Sequence, residues 1–128
     1  MAAWKRFFLI AGLFNIAGGT AGFLTLDKPF TDAGMPAPTY PFAFQLLFLA
    51  VMIFGVGLLM VARDPERHRG IIWLTLMAKG AGFVVTLWAL SSGQLPESSR
   101  WQPFVVDLPW ALGFAIFLWR TRSPAAAP

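Results

Sequence analysis

Four apolar runs, each close to the length of a bilayer crossing, decide what this chain can fold into. They are Phe7–Leu26, Phe42–Ala62, Ile71–Leu90 and Phe104–Trp119. A helix needs about 20 residues to cross ~30 Å of hydrocarbon, and these runs hold about 16 to 21. The fourth is short and borrows Trp101–Pro103 to reach the interface. Backbone amides in lipid must be satisfied within their own segment, so the runs are helices. The alternating period of two that marks a membrane barrel is not visible.

Composition agrees. Of the 128 residues, 57% are hydrophobic and 12% charged, against about 25% charged in soluble domains. A soluble core of this size could not hide thirteen Phe and six Trp. The net charge of +4 does not form a patch among aromatics. It sits at the ends of the apolar runs, which argues for membrane topology signals and against nucleic acid. With no cysteine there is neither a disulfide framework nor a thiolate metal site.

The breaks are as legible as the runs. Asp27 to Pro41 carries four prolines and reads as a loop. Arg63-Asp64-Pro65-Glu66-Arg67-His68-Arg69-Gly70 is a short charged turn, and Ser91 to Pro103 is a polar loop. The expectation is an all-α, integral membrane bundle of four transmembrane helices filling residues 1–122, with 123–128 as a flexible tail. The helices are expected at about 5–26, 42–62, 70–91 and 103–120. Lys5, Arg6, Arg63, Arg67, Arg69, Arg120 and Arg122 fall on one side, Lys28 and Arg100 on the other. Seven against two places both termini in the cytoplasm. Trp4, Trp73 and Trp119 are expected at that interface and Trp101 at the outer one. Met1–Gly22 has the basic start of a signal peptide, but Asn15 interrupts its apolar stretch, so it is read as an uncleaved first helix.

Each run carries one conspicuous polar residue: Asn15, Gln45, Lys79 and Asp107. Lys79 matters most, because an ammonium at mid-depth costs about 3 kcal/mol on insertion scales. Something inside the protein must neutralise or solvate it, and Asp107 is the candidate. From the outer ends, Asn15 and Lys79 lie roughly 16 and 17 Å deep, Asp107 roughly 5–9 Å and Gln45 about 5 Å. A lysine stem can climb several Å toward the outer face, so a direct or water-bridged pair is feasible.

Small residues turn these groups inward. Ala11, Asn15, Gly18, Gly19 and Gly22 share a face, and Gly18-x-x-x-Gly22 lets another helix approach closely. Thr75, Lys79, Gly82 and Thr86 line a stripe, as do Asp107, Ala111 and Ala115. Pro109 removes a backbone hydrogen bond beside Asp107 and frees a carbonyl to face the interior. The bulky Phe, Leu and Ile side chains are expected to fall largely on the other faces, toward lipid, leaving a narrow polar centre in the outer half. Helix packing is the ordinary explanation of Asn15 and the glycines, and solvation that of Gln45 and His68.

No catalytic residue is assigned. The chain lacks H-E-x-x-H, G-x-S-x-G and a phosphate loop, and one His with no Cys offers no triad. No metal and no cofactor are expected.

Phe14-Asn15-x-x-Gly18-Gly19, Gly55-x-Gly57, Ala62-Arg63-Asp64-Pro65, Lys79-Gly80 and Asp107-x-x-Trp110 together resemble small bacterial four-helix membrane proteins of the broad DoxX-like group. The resemblance implies a multi-pass protein of the bacterial inner membrane. DoxX itself is similar to a subunit of a quinone-linked oxidoreductase, so a quinone-binding role is implied too. Small size, short loops and close-packing glycines point first to an accessory or structural subunit of an inner-membrane assembly. The alternative is a small transporter, or a protein binding a lipophilic ligand such as a lipid or quinone through Lys79 and Asp107. Expected partners are membrane lipids, a larger membrane complex, or a second copy paired through the first helix.

Overall fold

The computed structural model describes Met1–Arg122, so the tail read at 123–128 lies outside the described residues. Four helices are long and apolar enough to cross a membrane, and the described residues contain no strand. Three are unbroken: α1 (Ala2–Leu24), α3 (Pro41–Arg63) and α4 (Arg69–Ser91). Between α1 and α3, where a plain loop was expected, Pro29 opens a short helix α2 (Lys28–Asp32). The fourth span is split into α5 (Gln102–Val106) and α6 (Leu108–Arg120), with Asp107 between them.

Local chemistry sets these boundaries. Pro41 starts α3 where a missing N–H costs nothing. Asp64 ends it, because the residue before Pro65 is driven out of the helical region, to φ −145° and ψ 87°. The Asp64 carboxylate then accepts the Arg67 amide at 3.1 Å, which tightens the turn into α4. α4 stops at a Schellman cap: Gln94 N–H bonds Ala89 O at 2.9 Å and Gly93 N–H bonds Leu90 O at 3.2 Å. That cap needs a left-handed residue, and Gly93 supplies it with φ 71°.

The closest pairing is α1 with α3, and glycines make it possible. A Cβ on Gly12 would stand 2.9 Å from Gly55 O, and one on Gly55 would stand 2.8 Å from Gly12 O. Two helices whose backbones meet this closely leave room for hydrogen only. Gly19 repeats the device lower on the seam, 2.8 Å from Phe48 O, and Gly22 faces the Phe48 ring. Gly18 does not take part: nothing lies within 4 Å of where its Cβ would be. Of the Gly18-x-x-x-Gly22 pair, only Gly22 meets α3.

Most bulky side chains point outward, as expected, but a set of them forms a buried core. Phe8, Leu58, Val61, Ile72, Phe114 and Phe117 are fully buried, and Leu118 nearly so. Phe8 stacks on Phe114 with centroids 5.9 Å apart and meets Phe117 edge-on at 5.0 Å. Trp4 packs on Phe117 at 5.3 Å, so it is as much a core residue as an interface one. Aromatic edges and faces attract, and dispersion needs no water to drive it. These residues come from the first two or three turns of α1 and α4 and the last turns of α3 and α6. The dense part of the bundle therefore lies at one end.

That end also carries the cations. Lys5, Arg6 and Arg63 border one groove, so α1 begins where α3 finishes. Arg69 ties the start of α4 to the end of α6, donating to Thr121 O at 2.9 Å, Thr121 Oγ1 at 2.5 Å and Leu118 O at 3.3 Å. At the opposite end Lys28 pairs with Asp32 at 2.8 Å and Arg100 pairs with Glu97. Both cations counted there are neutralised locally.

Candidate functional site

Away from the aromatic core the α1–α3 pair and the α4–α6 pair part company, and a cavity of about 540 Å³ opens between them. α1 contributes Phe14, Asn15 and Gly18, and α4 contributes Thr75, Ala78, Lys79 and Gly82. α3 supplies a greasy wall that includes Phe48, Val51 and Phe54, and the break in the fourth span supplies Val106 and Asp107. The interior is thus a roomy, mostly apolar chamber, wider than the narrow polar centre expected from the stripes. It is not sealed, since Gly18 and Leu47 in its wall are exposed.

Lys79 and Asp107 meet in this wall. Lys79 Nζ lies 3.3 Å from Asp107 Oδ1, and the two side chains are 14% and 18% exposed. The second partner of the ammonium is a main-chain oxygen: Lys79 Nζ donates to Val106 O at 3.4 Å. The split in the fourth span explains both contacts. Pro109 has no N–H to offer Val105 O and its ring crowds that carbonyl, so the helix cannot run straight through. Asp107 takes φ −113° and ψ −49° as the joint between α5 and α6. The displaced turn brings Val106 O and the Asp107 carboxylate within reach of a lysine whose backbone lies deeper. The depth mismatch of the two helices is closed by the lysine stem.

Gly82 completes the arrangement. A Cβ there would stand 3.3 Å from Asp107 Oδ2, so the glycine makes room for the carboxylate, not for a neighbouring helix as the packing reading had it. Asn15 is 4% exposed and turns its amide back on its own helix, with Nδ2 donating to Ala11 O at 3.0 Å. Thr75 does the same, with Oγ1 donating to Ile71 O at 2.8 Å. Each satisfies itself locally while presenting a polar edge to the chamber. Gln45 is not brought in: it is half-buried one turn further out on α3 and does not line the cavity.

Three lining groups carried no sequence signal as site residues. Val106 enters through its carbonyl, which any residue has. Phe48 and Phe54 are ordinary members of an apolar run. Ala78 and Phe14 were findable, because each is the immediate chain neighbour of a marked residue, Lys79 or Asn15.

Chemically, the site offers one ammonium with three donors, of which two are engaged, and a carboxylate with acceptor capacity to spare. Such a pair can hold a molecule that both accepts and donates a hydrogen bond. Compared with family models, curated proteins and solved structures, the chain finds no match.

Proposed function

We propose that this is a multi-pass inner-membrane protein that binds a lipophilic small molecule between its helices, with Lys79 and Asp107 as the polar anchor. One observation carries the reading: the charged pair stands in the wall of a roomy apolar chamber, not in a tightly packed helix interface. A pair that served only to fix helix register would be expected to have protein on all sides. The volume, about 540 Å³, falls in the range of ~300–1,000 Å³ typical of small-molecule sites. The mixture of apolar walls and a few convergent polar groups is also typical.

The exposed surface supports the membrane setting. Leu46, Ile53, Leu74, Met77, Val84 and Leu112 are all about half exposed, on three different helices. Lipid is the solvent in which such a surface is stable. The cations gathered at one end support a cytoplasmic setting for that end and for both termini. The anchor then holds a head group that carries a hydroxyl or carbonyl, and the resemblance to the DoxX-like group makes a quinone the first ligand to try.

The test is recovery of the wild-type protein in polymer nanodiscs without detergent, followed by native mass spectrometry of what it retains. One lipophilic molecule per chain is expected, lost in a folded Lys79→Met/Asp107→Leu protein. A wild type that carries only bulk bilayer lipid refutes the reading.

The accessory-subunit reading has one observation in its favour. α4 is the least covered span, with 11% of its apolar stretch buried. A larger membrane protein seated on α4 would cover it. Photo-crosslinkers at Leu74 and Met77 should then yield one defined adduct in the native membrane, and a smear of lipid adducts argues against it.

A further inference from the structure

A second site lies at the cationic end, apart from the chamber. α1 and α3 leave a groove of about 380 Å³ between their ends, lined by Lys5, Arg6, Leu9, Leu59, Ala62 and Arg63. Three of the six lining residues are cations and none is acidic. Among the described residues the ion pairs involve Lys28, Lys79 and Arg100, and none engages Lys5, Arg6 or Arg63. Among the described residues no side-chain hydrogen bond to the protein holds these three groups either. The contrast with Arg69 is informative. It belongs to the same end, and its guanidinium is spent on Thr121 and Leu118.

The floor of the groove is apolar and continues upward. Leu13 is one helical turn beyond Leu9 on α1, Val56 is about one turn beyond Leu59 on α3, and both are half exposed. A cationic mouth over an apolar strip matches one kind of molecule: a phosphate or phosphodiester head group with acyl chains attached. A guanidinium holds phosphate with two parallel hydrogen bonds, and lysine adds a point charge. Basic pockets between membrane helices on the cytoplasmic side bind anionic lipid head groups in this way.

We propose that the groove bounded by Lys5, Arg6 and Arg63 is a binding site for one anionic phospholipid of the cytoplasmic leaflet. The head-group phosphate sits among the three cations, and an acyl chain lies along Leu9 and Leu59. The lipid stands where an acidic residue would otherwise be needed, joining the start of α1 to the end of α3.

Native mass spectrometry tests this with protein in nanodiscs of phosphatidylcholine and phosphatidylglycerol mixed in equal parts. The wild type is expected to retain one phosphatidylglycerol in preference to phosphatidylcholine. Lys5→Gln and Arg63→Gln should each weaken retention about fivefold, on the basis of the surface attraction per cation. Arg67→Gln and Arg122→Gln, at the same end but outside the groove, should leave it unchanged. Equal loss in these controls overturns the proposal, because the attraction would then be that of a diffuse basic surface. Absence of any preference in the wild type overturns it without recourse to a variant. Arg63→Lys supplies a finer measure, keeping the charge and losing the fork, and should retain lipid better than Arg63→Gln. If Arg63→Lys binds no better than Arg63→Gln, the guanidinium is not on the phosphate and the assignment falls. The Lys79→Met/Asp107→Leu protein should keep its phosphatidylglycerol, which separates this site from the chamber.

Discussion

Removing one member of the Lys79–Asp107 pair should cost far more than removing both. At 3.3 Å and an effective dielectric constant of about 20, two unit charges attract by roughly 5 kcal/mol. Bringing each out of water costs several kcal/mol, so the pair as a whole is close to neutral in its effect on stability. In Lys79→Met, Asp107 keeps its desolvation cost and loses its counter-charge, and Val106 O loses a donor. The expected destabilisation is about 3 kcal/mol, at the lower edge of the range for broken buried pairs because both side chains keep some exposure. Asp107→Leu strands the ammonium and should cost about the same. Leu has the branching of Asp and fits the space that Gly82 leaves, so the double replacement should cost only about 1 kcal/mol. The coupling energy is then about 5 kcal/mol, in agreement with the Coulomb figure. Reversible unfolding in mixed micelles, followed by tryptophan fluorescence, would measure the four corners of the cycle. If the double variant is as unstable as the sum of the single ones, the two charges do not interact and the account of the site is wrong.

Four other outcomes follow from the packing and the charges. Gly55→Val places a branched side chain where even a Cβ would stand 2.8 Å from Gly12 O, and should destabilise the bundle by about 1–3 kcal/mol in the same unfolding assay. Gly18→Ala meets nothing within 4 Å and should stabilise it by about 0.5–1 kcal/mol through helix propensity alone. Gly82→Ala should push the Asp107 carboxylate by a few tenths of an ångström and lower the measured Lys79–Asp107 coupling, leaving the circular dichroism unchanged. Arg69→Gln abandons Thr121 and Leu118, and hydrogen exchange of the last turn of α6 should quicken about tenfold or more while that of α1 stays as it was.

The four spans were legible because length and apolar continuity leave a helix few alternatives. Their ends agree with the expected ones within three residues for α1, α3 and α4, since Pro41, Pro65 and Gly93 punctuate them. The pairing of Lys79 with Asp107 was legible for an energetic reason: an unmatched charge in an apolar run is costly enough to predict its partner. Pro109 announced the break beside Asp107, although the carbonyl that meets Lys79 is Val106 O and not the Val105 O that the proline leaves without a donor. What could not be read was which helices would sit closest. The glycines of α1 find Gly55 and Phe48 of α3, and that choice depends on three-dimensional fit. The aromatic core was missed because Phe faces lipid and protein equally well. In a bilayer, with no water to separate inside from outside, burial of Phe8, Phe114 and Phe117 would be decided by shape. Gln45 was marked by its polarity, but polarity near a helix end has solvent as an easy partner.

The concentration of Phe8, Phe114 and Phe117 at one end gives the molecule the mechanics of tweezers. The closed end is a fulcrum of interlocked rings, and Arg69 rivets α4 to α6 within one arm. Leu47 lies eleven residues along α3 from Leu58, about 16 Å from the pivot. A rotation of about 6° between the arms would shift it by roughly 1.7 Å, nearly the radius of a methyl group, without unstacking a single ring. On the ligand-binding proposal, admission of a guest at the wide end would call for a small angular motion and no local unfolding. The same leverage lets whatever fills the gap set the angle at which the arms come to rest.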